Sequence, residues 1–105
     1  MKLIDSIPYL KSFNRLGELY KLNNLDIKSE AILIYMEELL AIESGIVFFA
    51  IEETEDDLLY QKNGINYIQL FPVNYAKEII EDLLGFGYDD LEIAQKLLEY
   101  RIKDA

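Results

Sequence analysis

The sequence contains no cysteine and no histidine. Without thiols it cannot form a disulfide, a zinc–thiolate site or a thiol nucleophile. The lack of cysteine fits a reducing compartment, and a cytoplasmic location is expected. Without imidazole, serine–histidine and cysteine–histidine catalysis are excluded in their common forms, as are histidine metal sites. Glycine and proline are sparse, at five and two. No G-x-x-x-x-G-K-[ST] loop, G-x-G-x-x-G loop or G-x-S-x-G elbow is present. The fragment "GFG" (85–87) reads as a helix end. Long apolar runs are missing too. The longest, "AILIYM" (31–36), is far below the ~18 residues that span a bilayer. Asp5, Ser6 and Pro8 interrupt the N-terminal apolar residues, so no signal-peptide core is expected there.

Positive charge is scarce as well. Ten bases face twenty acids, a net charge of −10. Residues 1–50 carry seven acids and five bases, and residues 51–105 carry thirteen acids and five bases. Such a field repels nucleic acid and anionic lipid and attracts basic surfaces. Neither nucleic acid nor membrane is an expected partner. The acidity can also serve solubility alone. The apolar fraction of 51% and aromatic fraction of 12% are those of a packed globular chain. A length of 105 residues suits a single domain over 1–105.

Periodicity predicts the order ααβββαα, an α+β fold with a three-stranded antiparallel meander covered by helices. The first helix is expected over 6–22, with Tyr9, Phe13, Leu16 and Tyr20 on one stripe beside Leu10. Pro8 suits its first turn. The second is expected over 26–45, capped by Asp26 or Ser29 and ended by Gly45, with an apolar centre and Glu37, Glu38 and Glu43 on its wet side. Strands are expected at 46–51, 57–62 and 65–71. Asn63-Gly64 supplies the hairpin between the last two. Pro72 ends the third strand. A third helix is expected over 73–85, with Asn74 as cap and Gly85 as terminator. A fourth is expected over 89–105, with Asp89 and Glu92 forming a capping box. Leu91, Ala94, Leu98 and Ile102 are its expected inner face, with Ile93 and Leu97 alongside.

"EETEDD" (52–57) sets five carboxylates between two apolar segments. Side by side they repel one another, and burying one unpaired is prohibitive, so a solvated link between strands is expected. The run lacks the alternating Asp-x-Asp-x-Asp-Gly of a calcium loop, and no metal or cofactor is expected. The candidate partner-binding residues are Glu52, Glu53, Glu55, Asp56 and Asp57, with Asp89 and Asp90 at a helix start. Glu81 and Asp82 extend the set. Tyr60, Tyr67 and Tyr88 are candidate anchors.

Two resemblances accompany these residues. "AKEIIEDLLGFGYDDLEIAQKLLEYR" (76–101) is similar to part of a ubiquitin-associated domain, with Leu84-Gly85-Phe86 where that family has Met-Gly-Phe. It implies a helical hairpin, and no binding residue is carried over. In general character the chain resembles the small acidic immunity proteins that bacteria make against their own toxic nucleases. The expected function is therefore a protein-binding module, an inhibitor or immunity-type protein docking on a basic partner such as a toxic nuclease. The alternative is a structural domain acting by self-association, and the chain is expected as a monomer or weak homodimer. A third reading, a small carboxylate enzyme, needs an enclosed cleft holding two unequal acids.

Overall fold

Two β-hairpins, laid side by side through their inner strands, form the sheet. This is a computed structural model, and it describes residues 1–12, 14–25 and 28–103. The first hairpin is β1 (Ile32–Glu37) with β2 (Ile46–Ala50). The second is β3 (Leu59–Lys62) with β4 (Ile65–Pro72). Their order is β2-β1-β4-β3, and every neighbouring pair is antiparallel. Helices α1 (Leu3–Leu10) and α2 (Leu16–Leu22) precede the sheet. A single turn, α3 (Ile51–Thr54), follows β2, and α4 (Val73–Leu84) and α5 (Asp90–Lys103) close the chain. The fold is α+β, as expected, but its sheet has four strands and is not a meander.

Side chains alternate across a strand, so β1 serves two cores. Ile32, Ile34 and Met36 face the four longer helices, where they meet Leu3, Ile7, Ala76, Ile80, Ile93 and Leu97. Leu33 and Tyr35 face the other way and join Phe49 and Tyr67 in a second, smaller cluster. A bulge in β4 shapes the larger core. Ile34 pairs with Phe71 and Tyr35 with Gln69, which leaves Leu70 as the extra residue. Leu70 and Phe71 both pack on the helix side as a result.

The helix expected over 26–45 is replaced by β1 and its turn. Its apolar centre is buried on both faces of an inner strand, and such a run shows neither period. Of its expected wet residues, Glu38 and Glu43 are exposed and Glu37 is half-buried. Asp26, one of its expected caps, lies outside the described residues. The helix expected over 6–22 is two helices. α1 starts at Leu3 because Leu3, Ile7 and Leu10 form the buried stripe, and Pro8 sits inside it. Phe13 lies outside the described residues, and Tyr9, Leu16 and Tyr20 are half-buried against the core.

The second half of the chain follows its expected course more closely. Asn63 (φ 53°) and Gly64 (φ 80°) make the hairpin turn. Pro72, rather than Asn74, caps α4, and Gly85 follows its last residue. The Asp89 carboxylate accepts the Glu92 N–H at 2.8 Å while Glu92 accepts the Asp89 N–H at 3.2 Å. This is the expected capping box. The buried stripe of α5 is Ile93, Ala94 and Leu97, whereas Leu91 and Ile102 are exposed. Residues 104 and 105 of the expected last helix lie outside the described residues.

Candidate functional site

The acidic segment does not link neighbouring strands. β2 and β3 are the two outer strands, so residues 51–58 must carry the chain from one side of the sheet to the other. They form a strap over the face bearing Leu33, Tyr35, Phe49 and Tyr67. Ile51 packs on that cluster, and Thr54, also on the strap, is 1% exposed.

A polar network pins the strap to the sheet. The fully buried Tyr35 hydroxyl lies 2.5 Å from the Asp57 carbonyl and 3.0 Å from the Thr54 hydroxyl. It also accepts from the Gln69 amide at 3.2 Å. The hydroxyl thus both donates and accepts within the network. The same amide reaches the Asp56 carboxylate at 3.1 Å. Tyr35 and Gln69 are partners across β1 and β4, which aims both polar ends at one spot. Glu55 (φ 54°) and Asp56 (φ 61°) are both left-handed. Two consecutive non-glycine residues in that region cost on the order of 1–2 kcal/mol each, which the network must offset.

The five carboxylates differ in their surroundings. Glu52 accepts the Ser29 hydroxyl at 2.5 Å and the Glu30 N–H at 3.1 Å. The Ser29 bond, followed by the Glu30 bond, holds its carboxyl below the usual range. Glu53 accepts from Lys62 at 2.8 Å and from the Tyr60 hydroxyl at 2.9 Å. The lysine, opposed by burial and assisted by Tyr60, lowers its pKa. The same contact raises the pKa of Tyr60 and of Lys62. Asp56 is held by Gln69. The side chains of Glu55 and Asp57 are exposed and carry no hydrogen bond or ion pair among the described residues. Exposed Glu30 adds a sixth acid beside Glu52.

Asp89 and Asp90 lie elsewhere. Asp89 caps α5, and Asp90 pairs with Lys11 at the end of α1 at 2.7 Å. The other end of α5 is the one near the strap, where Arg101 donates to the Gln69 carbonyl at 2.8 Å. Arg101 lies eleven positions beyond Asp90 along the helix, about 16 Å at 1.5 Å per residue. Tyr60 stands with the strap acids. Tyr67 is buried beneath them in contact with Phe49, and Tyr88 stacks on Phe86 away from them.

Sequence reading does not find Ser29, Tyr35 or Gln69 as supports of this segment. The one available signal is Gln69 itself, a polar residue at an inward position of a strand. Among the described residues, no group of three or more acids is disposed to hold a metal ion. An open groove of about 430 Å³ is lined by Leu58, Gln69, Leu70, Phe71, Pro72, Tyr75 and Arg101, with no carboxylate. A smaller hollow of about 120 Å³ beside Tyr20 and Asn74 contains one, Glu30. No helix among the described residues is long and apolar enough to cross a membrane. No protein-family model, curated protein or solved structure matches the chain.

Proposed function

We propose that this chain is an acidic protein-binding module that docks its strap on a basic surface of another protein, as an inhibitor or immunity-type protein of a toxic nuclease would. The observation that carries this reading is the strap itself. Glu52, Glu53, Glu55, Asp56 and Asp57 are all exposed on one short segment across one face of the sheet. Lys62 pairs with Glu53. The network beneath holds the backbone of the segment in place before any partner arrives. A preordered anionic surface loses less entropy on docking than a flexible one. Its field raises encounter rates with cationic protein toward ~10⁸–10⁹ M⁻¹s⁻¹ at low salt.

Glu55 and Asp57 are the residues to test, because neither side chain supports the fold. Glu52, Glu53 and Asp56 each make internal bonds, so neutralising them confounds binding with stability. Pull-down from lysate with wild-type chain should recover strongly basic proteins at low salt and release them at high salt. The Glu55→Gln/Asp57→Asn variant should fold normally and recover less of the same proteins. Equal recovery by the variant, or recovery indifferent to salt, overturns the reading.

A further inference from the structure

The two outer strands of the sheet are finished differently. Beside β2, the Ile46 N–H donates to the Met1 carbonyl at 2.8 Å, and Lys2 and Gly45 form a bridge. That edge is partly closed by the chain's own N-terminal segment. Beside β3, no described residue pairs with the outer side. The register fixes which groups stand open. The Gln69 N–H bonds the Leu58 carbonyl at 2.9 Å, and Leu59 pairs with Ile68. Hydrogen-bonded and non-hydrogen-bonded pairs alternate along an antiparallel ladder. Tyr60 and Lys62 therefore bond to β4, while the N–H and C=O groups of Leu59 and Gln61 point outward.

Resting on the docking role of the strap, we propose that the β3 edge accepts an extended basic segment of the partner protein as a fifth strand, with lysine or arginine alternating with apolar residues. Four outward backbone groups supply the ladder for strand addition. The two faces of β3 dictate the alternation. Tyr60 lies on the strap side, because its hydroxyl reaches Glu53. Side chains of an added strand on that side approach Glu53 and the acidic strap that leads into β3, where cations are favoured. Leu59 lies on the helix side and is 71% exposed. Leu58, 61% exposed, opens onto the groove formed with Phe71, Pro72 and Tyr75. Apolar side chains gain by covering that surface. Charge selects the occupant. A second copy would bring another −10 chain against the same acids, whereas a basic strand brings complementary charge.

The test uses two synthetic peptides of about eight residues, equal in composition and charge. In one, lysine and valine alternate; in the other, they are segregated into two blocks. The alternating peptide should bind the wild-type chain more tightly at low salt and protect the Leu59 and Gln61 amides from hydrogen exchange. Gln61→Pro removes an N–H that β4 does not use, and proline is tolerated at an open edge. This variant should weaken alternating-peptide binding by about tenfold, the loss expected for one or two main-chain hydrogen bonds. Amide protection in the wild-type chain gives the same answer without any variant. If both peptides bind alike and the Leu59 and Gln61 amides stay unprotected, strand addition is overturned, whereas the strap reading still stands or falls on Glu55→Gln/Asp57→Asn. No binding of the alternating peptide also overturns it. So does a dimer of the free chain that Gln61→Pro dissolves, which would give the edge to a second copy.

Discussion

Tyr35 is the residue on which the acidic strap depends most. Its ring meets Phe49 edge-on at 5.5 Å, and its hydroxyl joins Thr54, Asp57 and Gln69. Tyr35→Phe keeps the ring and leaves the buried Thr54 and Gln69 side chains and the Asp57 carbonyl each short of a bond. A loss of about 1–3 kcal/mol is expected, read as a lower urea midpoint. Tyr60→Phe should cost less, because Tyr60 is half-exposed and Glu53 keeps Lys62. The carboxylates also set a pH dependence. Glu52 and Glu53 have lowered pKa values in the folded chain. Their stabilisation is complete above the unfolded value of ~4.3 and is lost as pH falls through the folded values. Tyr60 and Lys62 have raised values. Their contribution is complete below ~10 and is lost as pH rises through the folded values. The difference in urea midpoint between the wild-type chain and Glu53→Gln should shrink from neutral pH to pH 3, as Glu53 is protonated. A difference that stays constant over this range would show that ionised Glu53 contributes nothing.

The elements divide by how locally they are determined. Gly64 needs a φ of 80° in the β3–β4 turn, so Gly64→Ala should destabilise by about 1 kcal/mol. Asp89→Ala removes a cap bond from α5 at a similar cost, about 1 kcal/mol by thermal or urea unfolding. Both features are readable in the sequence because a few adjacent residues decide them. β1 is not readable in that way. Ile32 to Met36 are all buried because β2 and β4 flank them and both faces are covered. No residue within the run records those neighbours. The sheet order has the same cause: β1 enters between β2 and β4 by pairing with a strand some thirty residues later. The site was legible as a solvated acidic segment from mutual repulsion alone. Its path across the sheet, and its anchoring by Ser29, Tyr35 and Gln69, depend on contacts between distant parts of the chain.

For the whole molecule, charge works against compaction. The ion pairs Lys11–Asp90, Arg15–Glu18, Lys62–Glu53 and Lys96–Glu99 are all solvent-exposed and contribute little. The −10 net charge repels itself over a radius of gyration of 13.0 Å. Screening by about 0.3 M salt shortens the reach of that repulsion to well under 10 Å. The urea midpoint at neutral pH should therefore rise with added salt, while any binding through the strap weakens. A midpoint that falls with salt would mean that attraction, not repulsion, dominates the surface.

The sheet's central seam joins Leu33 to Pro72. On a ribosome, the β1–β2 hairpin can close as soon as it emerges, yet β1 then has a bare flank until the segment ending at Pro72 follows. During that interval the strand with the longest run of buried residues is open along one edge, and the closely spaced acids of residues 52–57, already outside the tunnel, set like charge between neighbouring nascent chains.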